Sequence, residues 1–244
     1  MSEGRVLLAV WVAAGLATHA IAADPAPSGG REAPGQQQQA GDAGWRRTFD
    51  VDRKHLGTVG QNPLFPLTPG LAVHLSGGGE TVVVSVLDET KVVDGVETRV
   101  VEERESKDGE LVEVSRNYFA VDEKTGDVYY FGEDVDIYED GKVVGHGGAW
   151  LAGVDGAKFG LLLPGKPRVG DRFYLEMAPR AVERVEIAGV DAELETPLKT
   201  FRGVVHALEH DELDGGSSHK WYAPGVGMIG DDEMRAVKVV APTH

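Results

Sequence analysis

Two histidines and a glutamate near the C-terminal end have the types and spacing best suited to chemistry. His210, Glu212 and His219 flank the pair Gly215-Gly216. If that pair forms a two-residue hairpin loop, Asp214 faces Ser217, Glu212 faces His219 and His210 faces Trp221. The three side chains then share one face of the hairpin, with the histidines diagonal at about 7–8 Å between backbones. Two imidazoles and a carboxylate suit Zn²⁺ or Cu²⁺, and these three residues are the expected metal ligands. The plainer alternative is a surface Glu-His pair beside a turn. One additional loop residue would dismantle the arrangement, because a one-residue slip turns every side chain to the other face.

Other chemistries find less support. Ser217-Ser218 precedes His219, but no G-x-S-x-G elbow is present to expose a nucleophile. No H-E-x-x-H occurs. Asp134 and Asp136 could open a calcium loop, yet its fifth position is Tyr138, its sixth Glu139 rather than Gly, and its twelfth Gly145 rather than Glu. Gly77-Gly78-Gly79 is followed by neither Lys-Ser/Thr nor a helical pattern, so it is no phosphate loop. Paired carboxylates could suggest glycoside hydrolysis, but 40 acidic residues make chance pairs unavoidable. No catalytic residue and no cofactor is expected. The chain has no Cys, which excludes disulfides, thiolate metal sites and Cys nucleophiles.

The charge narrows the partners. With 24 basic and 40 acidic residues the formal net charge is −16. Nucleic acid and anionic lipid are poor partners for such a field. Asp94 to Val144 alone holds 16 acidic and 6 basic residues, a net of −10. That density reads as solubility and as protection of long strands against edge pairing; a cation-attracting surface is the alternative.

The elements that must position these residues are strands. Asp94-Gly95, Asp108-Gly109, Asp122 to Asp127 around Gly126, and Asp140-Gly141 punctuate the acidic stretch. Asp-Gly between β-rich runs signals a tight hairpin, because the turn needs positive φ. The spacing predicts strands of about ten residues, long beside the usual five or six. Leu71 to Ser76 and Thr81 to Leu87 form a first hairpin about the three glycines. Arg172 to Met177, Val182 to Ile187, Ala192 to Glu195, Phe201 to Leu208 and Met234 to Val240 continue the pattern. No segment holds a helical period over three turns. The fold class is therefore all-β: an antiparallel meander of about ten long strands forming a curved sheet, half-barrel or open barrel.

Residues 1–22 have the n-, h- and c-regions of a secretory leader, with Arg5, the apolar run from Val6, and Ala20-Ile21-Ala22. An uncleaved anchor is the alternative; with cleavage no membrane span remains. Residues 23–44 read as a disordered linker, without periodicity or large apolar residues. Residues 45–244 form the expected single β domain, entered through the proline-fixed segment Asn62 to Gly70.

NPLFPLTPG, TGDVYYFGED, YEDGKVV, AGVDGAK and HKWYAPGVGMI occur in an order that resembles a family of secreted bacterial all-β proteins, uncharacterised in function. The resemblance covers roughly Asn62 to Ile229. It implies a secreted all-β domain and carries no catalytic residue across. In architecture it is similar to the open half-barrels of lipoprotein carriers, an analogy of fold alone. The expected function is non-catalytic binding of an apolar small molecule or an envelope protein, in the periplasm or outside the cell. The alternatives are binding of Zn, Cu or Ca, and an uncharacterised hydrolase.

Overall fold

The computed structural model describes residues 44–58 and 62–242. The expected leader, 1–22, and the linker, 23–44, lie outside the described residues apart from Gly44. Fifteen strands make one antiparallel sheet: β1 (Leu56–Gly57), β2 (Ala72–Gly77), β3 (Glu80–Val93), β4 (Val96–Lys107), β5 (Glu110–Asp122), β6 (Val128–Glu139), β7 (Lys142–Gly145), β8 (Trp150–Leu151), β9 (Lys158–Leu163), β10 (Arg172–Ala178), β11 (Ala181–Glu195), β12 (Thr200–Asp211), β13 (Ser217–Ala223), β14 (Gly227–Asp231) and β15 (Met234–Val240). No α-helix occurs among the described residues, only the 3₁₀ turn Arg53–His55. None of them forms a helix long and apolar enough to cross a membrane.

The all-β expectation holds, and the sheet goes on to close. β5 pairs with β4 on one side and β6 on the other, so β2 to β6 and β9 to β15 form a ring of twelve strands. β15 pairs with β2, which closes the ring. β1, β7 and β8 lie off the ring, β1 on β5 and the other two on β6. The Asp-Gly hairpins form as their sequence requires. Asp94, Asp108 and Asp140 have φ of 48°, 51° and 50°, and each following glycine is also positive. Two successive positive φ values define the tight turn whose twist matches that of its strands.

Because the ring is antiparallel, its turns gather at two rims. Those after β2, β4, β6, β10, β12 and β14 share one, which we term the turn rim. The opposite rim is closed by the proline-fixed segment Asn62 to Gly70. Leu64, Phe65 and Leu67 are buried there, and Phe65 meets Phe119 at 5.0 Å and Tyr222 at 6.4 Å between ring centres. Val121, Val128, Val185, Ile187, Val205 and Met228 complete this apolar half. Asn62 pins the plug, its Nδ2 donating to Gly126 O at 2.9 Å while its Oδ1 accepts from Leu64 N.

Candidate functional site

The half of the barrel nearer the turn rim is lined with acids. Side chains alternate along a strand, and directly opposed residues share a face. Register pairs Glu103 with Ser115 and Val84, Glu105 with Glu113 and Val82, and Asn117 with Val101 and Glu133. Around the ring it pairs Glu176 with Glu183, Glu209 with Val185 and Ser218, and Lys220 with Ala207 and Asp231. Their opposed neighbours include the core residues Val82, Val84, Val101, Val185 and Ala207, and the polar side chains are themselves buried, so they face inward. Glu103, Glu105, Glu113, Glu133, Glu176, Glu183, Glu209 and Asp231 are buried, and Lys220 is wholly so.

Eight carboxyls around one ammonium cannot all ionise in a dry interior. Lys220 Nζ lies 2.6 Å from Asp231 Oδ1 and 4.0 Å from Glu209 Oε2. Burial pulls the lysine down, but Asp231, Glu209 and Glu103 outweigh it and hold the ammonium above the ordinary lysine range. Burial pushes Glu103 and Glu209 up to about 8, against the pull of Lys220. It raises Glu113 to about 7. Glu105, Glu133, Glu176 and Glu183 stand well above the usual carboxylate range, from burial first and neighbouring acids next. Asp231 is raised by burial, with Lys220 opposing. At neutral pH the lumen is therefore a set of largely protonated carboxyls around one ion pair.

These carboxyls are under-satisfied. Glu103 Oε2, Glu105 Oε1, Glu113 Oε1, Glu133 Oε2, Glu183 Oε2 and Glu209 Oε1 are buried without a hydrogen-bond partner, as is the Tyr222 hydroxyl. A buried polar atom left unpaired costs about 1–3 kcal/mol. A twelve-stranded ring has an interior wider than the eight-stranded barrel that side chains can just fill. The unpaired oxygens leave the lumen with hydrogen-bonding capacity that the protein itself does not fill.

A cleft opens beside β6 at Glu133, one of these acids. β9 is short, so the upper part of β6 is paired by β8 instead, Gly132 with Leu151 and Glu133 with Trp150. Gly132 makes this possible: its φ is +119°, and a Cβ there would stand 2.2 Å from Trp150 O. The outcome is a cleft of about 490 Å³ whose wall includes Trp150, Leu151, Val154, Ala157 and Pro179, with Glu133, Asp134, Asp155 and Arg180 as its charged lining. Trp150 Nε1 donates to Glu176 Oε1 at 3.3 Å, linking the wall to a second lumen acid. A mostly apolar cleft with a few convergent polar groups of shifted pKa is the usual form of a small-molecule site.

The expected metal triad is not brought together. β12 and β13 pair His210 with Ser217 and Leu208 with His219, which makes the loop longer than two residues. Asp211 organises it: Asp211 N donates to Gly216 O, Gly215 N donates to Asp211 O, and Asp211 Oδ1 accepts from Leu213 N and Asp214 N. Glu212 then ion-pairs with Arg184. His210 meets the edge of Trp45 at 5.9 Å. His219 instead joins His206, Nδ1 to Nε2 at 2.7 Å, both stacked with Trp221 on the outer face. No cluster of three or more His, Asp or Glu with metal-site geometry occurs among the described residues.

Sequence reasoning missed Glu103, Glu105, Glu113 and Glu133 by assigning the acidic stretch to solubility or to a cation-attracting surface, and it did not single out Glu176, Glu183, Glu209 or Asp231. A signal was present in their phase. Glu113, Ser115 and Asn117 occupy the same alternate positions as Phe119 and Val121, so polar residues continue a core-facing row. No family model matches this chain, and no match was found among curated proteins or solved structures.

Proposed function

We propose that this domain is a non-catalytic binding protein for a small molecule with an apolar body and a cationic, amine-type end. The apolar body lies along the cleft wall at Trp150, Leu151 and Val154, and the amine meets Glu133 and the carboxyls behind it. The observation that carries this reading is the row of buried carboxylate oxygens without partners, one of which, on Glu133, belongs to a residue lining a cleft with an apolar wall. A purely apolar guest would leave those oxygens unpaired. An anionic guest would add to the repulsion.

Octylamine, octanol and octanoate share one tail and differ in charge, so their binding, read by Trp fluorescence and calorimetry, tests the idea. Octylamine is expected to bind at least tenfold more tightly than either of the others, about 1.4 kcal/mol. Its affinity should rise between pH 6 and 8. The cation favours the ionised carboxylate, so binding expels a proton that the empty lumen holds, and higher pH assists that release. Glu133→Gln should weaken octylamine about tenfold and leave octanol unchanged. Equal affinity for octanol and octylamine, insensitive to pH and to Glu133→Gln, would sink the proposal.

We further propose that the domain works in the bacterial envelope or outside the cell. The support is the leader-like pattern of residues 1–22 and the resemblance to secreted proteins. Exported protein is expected to begin at Ala23, by intact mass; a mass that retains Met1 or Ser2 overturns the processing step.

A further inference from the structure

A second cleft, at the plug rim, has the opposite character. Its volume is about 670 Å³, and Arg46, Lys124, Lys166, Arg168 and Arg172 line it, with Asp127 and Asp171 the acids among its lining residues. Five cations in one concavity run against a chain of net charge −16. The two aspartates are occupied by backbone: Asp127 Oδ1 accepts from Gly165 N at 2.8 Å, and Asp171 Oδ2 accepts from Arg168 N at 2.9 Å. Arg172 is neutralised by Glu186, Nη2 to Oε2 at 2.8 Å. Arg46 rests over Phe49 and Phe173, at 5.0 and 6.0 Å from the ring centres. Among the described residues no carboxylate pairs with Lys124, Lys166, Arg168 or Arg46.

The walls are fixed by backbone rather than by chance meeting of long side chains. The segment from Pro164 to Asp171 presses on the turn between β5 and β6 so closely that a Cβ at Gly165 would stand 2.0 Å from Thr125 O. Asn62 Nδ2 reaches both pieces, Gly126 O at 2.9 Å and Pro164 O at 3.4 Å. On the far side Arg46 bridges β10, its N donating to Arg172 O and its O accepting from Tyr174 N, each at 3.0 Å. Lys124, Lys166 and Arg168 are thus carried on rigid loops around one hollow.

We propose that this cleft binds a phosphate-bearing anion, at a site separate from the acid-lined lumen. Several unpaired cations around one concavity call for a ligand with more than one negative charge. A monocarboxylate would leave most of them uncompensated. Guanidinium forks fit phosphate oxygens in pairs, and lysines supply point charge. Such a ligand is either a free phosphate compound or the headgroup of an anionic lipid, and both offer the same oxygens to the same side chains.

The test uses the full chain, with inorganic pyrophosphate by calorimetry and with phosphatidylglycerol and phosphatidylcholine vesicles by co-sedimentation. Pyrophosphate is expected to bind, to weaken as salt rises from 50 to 200 mM, and to lose at least tenfold in affinity in Lys166→Glu/Arg168→Glu. Both positions are exposed, so that variant keeps its fold, checked by an unchanged melting temperature. Octylamine binding should be the same in variant and parent, which separates this site from the lumen. Binding of pyrophosphate but not of phosphatidylglycerol vesicles assigns a free phosphate ligand. Vesicle binding abolished by the same variant, without pyrophosphate binding, assigns a lipid headgroup. No binding of either, binding unaltered in the variant, or acetate binding as well as pyrophosphate overturns the proposal.

Discussion

The barrel is expected to be substantially more stable at pH 5.5 than at pH 8.5. Glu103 and Glu209 titrate near 8 in the folded protein and near 4.5 when exposed. A carboxyl whose folded pKa is raised binds more protons folded than unfolded between those values. Its contribution is therefore complete below about 4.5 and is lost as pH climbs through about 8. Each pKa unit corresponds to about 1.4 kcal/mol, which sets a ceiling of about 5 kcal/mol for each of these two glutamates. Water entry and side-chain rearrangement reduce that ceiling, and neighbouring acids share it. Even a fraction is large against a total stability of about 5–15 kcal/mol. A loss of about 3 kcal/mol lowers the melting point of a domain this size by about 6–12 °C. Calorimetric melting across pH 5.5 to 8.5 should show a monotonic fall of that order. A stability maximum at pH 8 would mean that the lumen acids are ionised and solvated, contrary to their burial. Glu103→Gln should flatten the curve, since an amide has no proton to lose. A saturating amine should flatten it too, by stabilising the ionised lumen.

Lys220→Met should be the most damaging single change to the lumen. It removes the one ammonium buried among eight carboxyls and leaves Asp231 without its partner at 2.6 Å. Breaking a buried ion pair on one side costs about 3–5 kcal/mol, because the remaining charge is left uncompensated in a medium that solvates it poorly. The cost should be largest at pH 8 and shrink toward pH 5, where Asp231 and Glu209 can take up protons instead. Urea unfolding at both pH values measures this. Adding Asp231→Asn to Lys220→Met removes the stranded charge and should recover more than half of the loss. An equal loss at both pH values would instead indicate a packing defect. A lysine stem fills space as a methionine does, so the pH dependence is what reports the charge.

The hairpin at Gly215-Gly216 shows where reading the chain stopped short. The two-residue loop was a reasonable use of two glycines, but Asp211 four residues before Gly215 overrode it. The same device occurs at Asp122, whose Oδ1 accepts from Lys124 N and Thr125 N while Gly126 N donates to Asp122 O. Asp followed four residues later by a glycine with positive φ makes a wider loop, in which the aspartate satisfies the turn amides itself. DEKTGD and DELDGG share that spacing, so the longer loop was legible from the first example. The metal triad depended on the register that this loop displaced.

The sequence by itself determined the strands and most of their turns. Asp-Gly pairs admit the positive φ that a tight hairpin requires, and β-rich runs between them have no helical period to offer. Those are local constraints, satisfied within a few residues. Closure was decided only in three dimensions. β15 meets β2 and β6 meets both β5 and β9 through backbone hydrogen bonds that no residue type specifies. Closure also decided what the acids mean. The alternation puts Glu103, Glu105 and Glu113 on the face that carries Val101 and Phe119; in an open sheet the end of that face lies in water, and in a ring it lines the lumen. The difference is whether that one face stays open to solvent at its end or is enclosed by eleven other strands. That is set by the sum of the apolar faces packed around Phe65, Phe119 and Tyr222, and by no one of them alone.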